Sequence, residues 1–163
     1  MSKGNVYVIF DADKDMWAYA YMKGWKQQRH IDFDFQDAHA LNILTRNAQN
    51  EAYIKAKLLV RMKASRKVIV LIGESTKYLY KYVRWELATA LSLGLPIIVI
   101  NLNEKRQLDH NLCPAILRNA GAVHIPFRRN IIKYALGQFN LRSGNNSRSA
   151  YHYPKSVYDK LNP

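Results

Sequence analysis

Two uninterrupted β-branched runs, Val68-Ile69-Val70-Leu71-Ile72 and Ile97-Ile98-Val99-Ile100, constrain this 163-residue chain more than any other feature. A strand with one wet face alternates apolar and polar residues; these runs do not alternate, and they are too short for helices. They predict strands buried on both faces, the condition of a parallel sheet flanked by helices. Val6 to Phe10 is a third such run, Ile31 to Phe35 a shorter and more polar fourth that suits a sheet edge, and Ala122 to Ile125 a fifth. Helical stretches lie between them, at Asp15 to Gln28, Glu51 to Ser65, Tyr82 to Leu93 and Asn130 to Phe139. In the second, Ile54, Leu58, Leu59 and Met62 recur at helical spacing and define a face for the sheet. Gly94-Leu95-Pro96 reads as a helix stop followed directly by a strand.

Strand and helix alternate, and the crossovers are too long for hairpins. The expected fold is α/β: a doubly wound, mostly parallel five-stranded sheet in flavodoxin-like order, with helices on both faces. Residues 1–141 are expected to form this domain. Residues 142–163 begin with the polar run Arg142-Ser143-Gly144-Asn145-Asn146-Ser147 and read as a linker and C-terminal arm, whose Tyr151, Tyr153, Val157, Tyr158 and Leu161 are suited to docking back.

Charge bears on partners, not on fold. With 25 Lys+Arg against 12 Asp+Glu, the formal net charge of +13 favours anionic ligands. The bases are scattered along helices, with no arginine tract or aromatic-studded basic strand, which argues against sequence-specific nucleic-acid binding. The single cysteine, Cys113, has no partner for an internal disulfide and reads as an inert thiol. No apolar run approaches the roughly 20 residues of a membrane span, and the amino terminus lacks signal-peptide features, so the expected location is the cytoplasm.

In open α/β sheets, ligands bind beyond the carboxyl ends of the strands, where the winding reverses. That rule selects Phe10-Asp11-Ala12-Asp13, Gly73-Glu74-Ser75-Thr76 and Asn101-Leu102-Asn103, together with the start of the helix near Tyr82. On this helix, at about 100° per residue, Val83, Leu87, Ala90 and Leu91 form the apolar stripe, and Glu86 falls between the bearings of Leu93 and Ala90, within the apolar arc. No basic residue of the same helix stands three or four positions away, so its partner lies on another element. A carboxylate in an apolar arc beside a crevice is either a proton acceptor aimed at ligand or one half of a structural ion pair.

Other chemistries fail on spacing. Asp11, Asp13 and Asp15 mimic the opening of a calcium loop, but Met16 and Met22 stand where its glycine and bidentate glutamate belong. Asp15 is better read as a helix N-cap. Lys77 replaces the second glycine of a nucleophile elbow, and neither Gly-x-x-x-x-Gly-Lys nor Gly-x-Gly-x-x-Gly occurs. The five histidines show no paired metal spacing, so no metal is expected.

The motifs Ile9-Phe10-Asp11-Ala12-Asp13, Asp32-Phe33-Asp34-Phe35-Gln36-Asp37, Val68 to Thr76 and Tyr82-Val83-Arg84-Trp85-Glu86-Leu87 resemble the TIR-like family, in particular the bacterial TIR proteins of Thoeris anti-phage systems. The resemblance runs from about Val6 to Phe127. It implies that Glu86 is the catalytic glutamate of an enzyme cleaving NAD at the nicotinamide–ribose bond, with NAD as substrate and no cofactor. It implies weaker roles in substrate binding for Phe10, Asp11, Ser75 and Thr76, and for Asp37 in the long loop that covers the site in TIR proteins. It also implies an ADP-ribose-derived signal, cyclic or conjugated, read by a separate effector, and a homo-oligomer on activation. Trp85 points away from the Glu86 stripe and suits packing. Two other readings stand beside this one: a TIR-like interaction module without turnover, and a nucleotide sensor using the positive field.

Overall fold

The computed structural model of the chain describes residues 4–37, 50–144 and 149–161, except for the side chains of Gln36 and Asp37. Five strands form one sheet: β1 (Asn5–Ile9), β2 (Asp34–Asp37), β3 (Lys67–Ile72), β4 (Ile97–Asn101) and β5 (Val123–Pro126). They lie in the order β2-β1-β3-β4-β5, and every pairing is parallel. This is the flavodoxin-like order. The winding runs outward from β1 to β2 on one side and from β3 through β4 to β5 on the other, so the reversal falls between β1 and β3.

Among the described residues, five α-helices flank the sheet: α1 (Met16–Gln27), α2 (Glu51–Lys63), α3 (Val83–Leu93), α4 (Arg129–Gln138) and α5 (Lys155–Leu161). The strand runs are continuously apolar because both sheet faces are covered. Val6 and Val8 of β1, Ile69 and Leu71 of β3, and Ile98 and Ile100 of β4 pack with α1, α4 and Tyr158 of α5. Their sequence neighbours Tyr7, Ile9, Val68, Val70, Ile97 and Val99 point the opposite way and pack with Met62 of α2 and with α3. Alternation of side-chain direction thus divides each run between two cores. All six residues of β3 and all five of β4 are buried.

The helix boundaries follow local chemistry. Asn50 caps α2, its side-chain oxygen accepting from the Tyr53 N–H at 2.9 Å. Gly94 ends α3 in the left-handed region at φ 68°, and the N–H groups of Gly94 and Leu95 donate back to the carbonyls of Leu91 and Ala90. A side chain here would also meet Arg142, since an added Cβ would lie 2.4 Å from its Nη2.

Two expectations are corrected. The edge strand is Asp34–Asp37, not Ile31–Phe35. Ile31 and Phe33 are buried in the core, but the ladder begins only at Asp34, which pairs with Asn5. Apolar content marks what is buried, whereas an edge strand is defined by its hydrogen-bonded register to a single neighbour. Asp37 is therefore the last residue of β2, opposite Val8, not a loop residue. The loop expected to cover the site, residues 38–49, lies outside the described residues.

The segment after Leu141 is laid onto the domain. Tyr151 forms a parallel bridge to Val123 at the free edge of β5, its N–H donating to Ala122 at 2.9 Å and its carbonyl accepting from His124 at 2.8 Å. Tyr158 of α5 is buried, and the Arg106 guanidinium lies 4.0 Å from the centre of its ring. Among the described residues, no helix is long and apolar enough to cross a membrane.

Candidate functional site

The reversal between β1 and β3 leaves a crevice of about 340 Å³ beyond the carboxyl end of β1. Phe10, Asp11, Ala12 and Asp13 form one wall, Tyr78 to Val83 and Glu86 the other, with Leu58 of α2 beside them. Glu86 sits in the first turn of α3 with 3 % of its surface exposed, inside the stripe of Val83, Leu87, Ala90 and Leu91. The hydroxyl of Tyr7, a β1 residue facing the α3 side of the sheet, donates to Glu86 Oε2. A phenolic donor and the amino-terminal end of a helix both stabilise negative charge. The carboxylate is thus buried, held by hydrogen bonding and part of a crevice wall at the same time.

The loop after β1 is closed by Asp11. Its Oδ1 accepts from the Asp13 N–H at 3.0 Å, and its carbonyl accepts from the N–H groups of Lys14 and Asp15. Phe10 is buried and stacks on Tyr19 of α1, ring centres 5.0 Å apart, which fixes that wall against the helix. Asp15 stands at the N-cap position of α1, but its side chain makes no capping bond, contrary to the expectation. Its carboxylate lies instead against Gly73, where an added Cβ would be 2.3 Å from Oδ2. Burial, then the neighbouring Asp11 and Glu74, raise its pKa.

Phe10, Asp11 and Glu86 therefore meet in one crevice. Ser75 and Thr76 do not line it. Thr76 Oγ1 accepts from the Gly73 N–H at 2.9 Å and lies 3.4 Å from the Leu71 carbonyl, so the hydroxyl serves the turn that ends β3. The backbone of Asp37 ends β2 beside Val8 of β1. Trp85 packs against Ile54 and Leu58 of α2, with the Lys55 ammonium 5.5 Å from its ring. Cys113 is buried, and burial pushes its thiol up to about 12, beyond ordinary thiolate reactivity. Among the described residues, no group of three or more His, Cys, Asp or Glu side chains could hold a metal.

Two features were missed from sequence. One is Tyr7, for which a signal existed: a tyrosine within a fully buried strand needs a partner for its hydroxyl. The other is Tyr82, which precedes α3 and lines the crevice, and whose buried hydroxyl has no hydrogen-bond partner among the described residues. No sequence pattern distinguishes it from Tyr78 and Tyr80, whose rings are largely exposed.

The fold and site define a class: a doubly wound, flavodoxin-like α/β domain with a buried carboxylate in the crevice at its topological switch point. The model of the Thoeris protein ThsB, TIR-like domain, matches residues 7–107, a stretch that contains β1 from Tyr7 onward, β2 to β4, α3 and every residue of the crevice. The chain belongs to this family of defence-related TIR-like domains. No curated protein matches the sequence.

Proposed function

We propose that this chain is an enzyme of the NAD glycohydrolase and ADP-ribosyl cyclase type, acting in the cytoplasm in anti-phage defence, with Glu86 as its catalytic carboxylate. One observation carries the reading: Glu86 is buried, yet it forms part of a crevice wall at the carboxyl edge of the sheet. At about 340 Å³ the crevice stands at the lower end of the ~300–1,000 Å³ typical of small-molecule sites. It suits the nicotinamide riboside half of a dinucleotide.

In the proposed reaction the bond between ribose C1′ and the nicotinamide nitrogen breaks, and its electron pair leaves with nicotinamide. Positive charge develops on the ribose, and the Glu86 carboxylate stabilises it, as carboxylates do in glycoside hydrolysis. Phe10 and Asp11 border the sugar from the β1 side. An oxygen nucleophile then bonds to C1′ and releases its proton: water gives ADP-ribose, and an internal hydroxyl gives a cyclic product. The product is a signal for a separate effector, and self-association accompanies activation.

The test is to incubate concentrated protein with NAD and follow free nicotinamide by chromatography. Wild type is expected to release nicotinamide and Glu86→Gln to lose at least 100-fold in rate. Equal release by the two proteins rejects the enzymatic reading and leaves an interaction module.

A further inference from the structure

Behind the Tyr78–Tyr80 segment, which it shares with the Glu86 crevice, lies a second hollow of about 250 Å³. Three cationic side chains from three elements line it: Lys77 from the turn after β3, Arg84 from the first turn of α3, and Arg118 after the short helical turn at Ala115–Leu117. No acidic side chain is among the lining residues. Among the described residues, none of the three cations takes part in an ion pair.

A purely structural account explains part of this arrangement. Lys77 Nζ donates to the Asn111 carbonyl and so fastens the 110–118 segment to the turn after β3, while Arg118 Nη2 donates to the His110 carbonyl at 2.9 Å within that segment. Backbone carbonyls hold these cations in place but do not neutralise them. The same account leaves Arg118 Nε, which is buried and has no hydrogen-bond partner among the described residues. It leaves Arg84 as well, an exposed guanidinium at a helix amino terminus, where positive charge is disfavoured. Asp109, the acidic residue that directly precedes the 110–118 segment, is already committed. Asn103, the N–H groups of Asn111 and Leu112, and Lys105 all engage its carboxylate, and these bonds hold its pKa down at about 2 against the effect of burial.

We propose that this hollow binds phosphate groups. A phosphate offers several acceptor oxygens and multiple negative charge, and guanidinium forks match that geometry. The end of α3 adds its own field, and the net charge of +13 draws anions to the surface. Size narrows the ligand, because the hollow is smaller than sites that enclose a whole drug-sized molecule and fits one or two phosphates. The diphosphate of a dinucleotide reaching across from the crevice, or a separate phosphorylated ligand, would supply the same chemistry. The assignment does not depend on NAD cleavage.

Titration of the full chain with inorganic pyrophosphate, followed by amide chemical shifts, tests it. The shifts are expected to concentrate at residues 76–84 and 110–118, and Arg84→Gln with Arg118→Gln is expected to weaken binding at least tenfold. Arg84→Gln alone, at an exposed position that poses little risk to folding, is expected to weaken it at least threefold. Lys133→Gln with Lys160→Gln removes as much charge from exposed sites elsewhere and should leave the affinity at the wild-type value. Equal weakening by the two double variants, or shifts scattered over the surface, overturns the site. Adding NAD to the Glu86→Gln protein separates the sources: displacement of pyrophosphate identifies the substrate's diphosphate, and simultaneous binding identifies a second ligand.

Discussion

The Tyr7 hydroxyl, from the middle of β1, donates to the carboxylate of Glu86 in the first turn of α3, joining residues 79 positions apart across the sheet–helix interface. It links a strand that borders the switch point to the group proposed to carry the chemistry. Hydrogen bonds to charged groups contribute about 1.5–3 kcal/mol. Tyr7→Phe keeps the ring and removes the donor, so urea unfolding should show a loss of about 1–3 kcal/mol. If Glu86 is catalytic, the same variant should slow nicotinamide release by about tenfold while Glu86→Gln abolishes it. A Tyr7→Phe protein with unchanged stability and unchanged rate would show that the contact holds nothing in place.

Gly94 is required twice, by its backbone conformation and by the approach of Arg142. At φ 68° a non-glycine residue is strained by roughly 1–2 kcal/mol, and an added methyl group would meet the Arg142 guanidinium that donates to the Leu93 carbonyl at 3.1 Å. Gly94→Ala is expected to lower stability by about 2 kcal/mol in denaturant melts. In an Arg142→Ala background the penalty should fall to the strain alone. An undiminished loss in that background would mean the guanidinium moves aside freely.

Much of this fold could be read from the chain because both faces of the sheet are covered. Continuous apolar runs such as Val68 to Ile72 have no other stable environment. The α3 stripe was equally legible, and with it the burial of Glu86, since helical spacing alone puts that carboxylate between the bearings of Leu93 and Ala90. What escaped depended on contacts distant in sequence or on turn geometry. The partner of Glu86 lies on β1, the β2 ladder is set by its register to Asn5, and the Thr76 hydroxyl is turned back to Gly73 by a bend that composition does not specify.

His124 on β5 supplies a pH dependence. It is fully buried, neither ring nitrogen has a hydrogen-bond partner among the described residues, and its pKa is lowered to about 4 by burial and then by His152 and His110. The unfolded chain takes up this proton near 6.5 and the folded chain only near 4, so the unfolded state binds more protons between those values. Stability should be at its plateau above about pH 6.5 and fall as the pH drops toward 4, by up to about 1.4 kcal/mol per unit. Chemical denaturation of wild type and His124→Gln at pH 7 and pH 5 checks this. The variant should lose less between the two, and parallel losses would assign the acid sensitivity to other groups.

Tyr82 distinguishes a ligand-binding crevice from a mere packing defect. Among the described residues its buried hydroxyl has no partner, an arrangement that typically costs about 1–3 kcal/mol in the free protein. If the crevice exists to receive a sugar or its phosphates, that loss is recovered when a ligand hydroxyl or oxygen meets the phenol. Tyr82→Phe removes the unsatisfied group and keeps the ring. The free protein is then expected to be as stable as wild type or up to about 1 kcal/mol more so. NAD binding, measured calorimetrically in a Glu86→Gln background to prevent turnover, should weaken by five- to tenfold. The two effects have opposite signs only if the phenol faces ligand. A loss of stability with unchanged NAD affinity would assign the hydroxyl to the fold and remove it from the site.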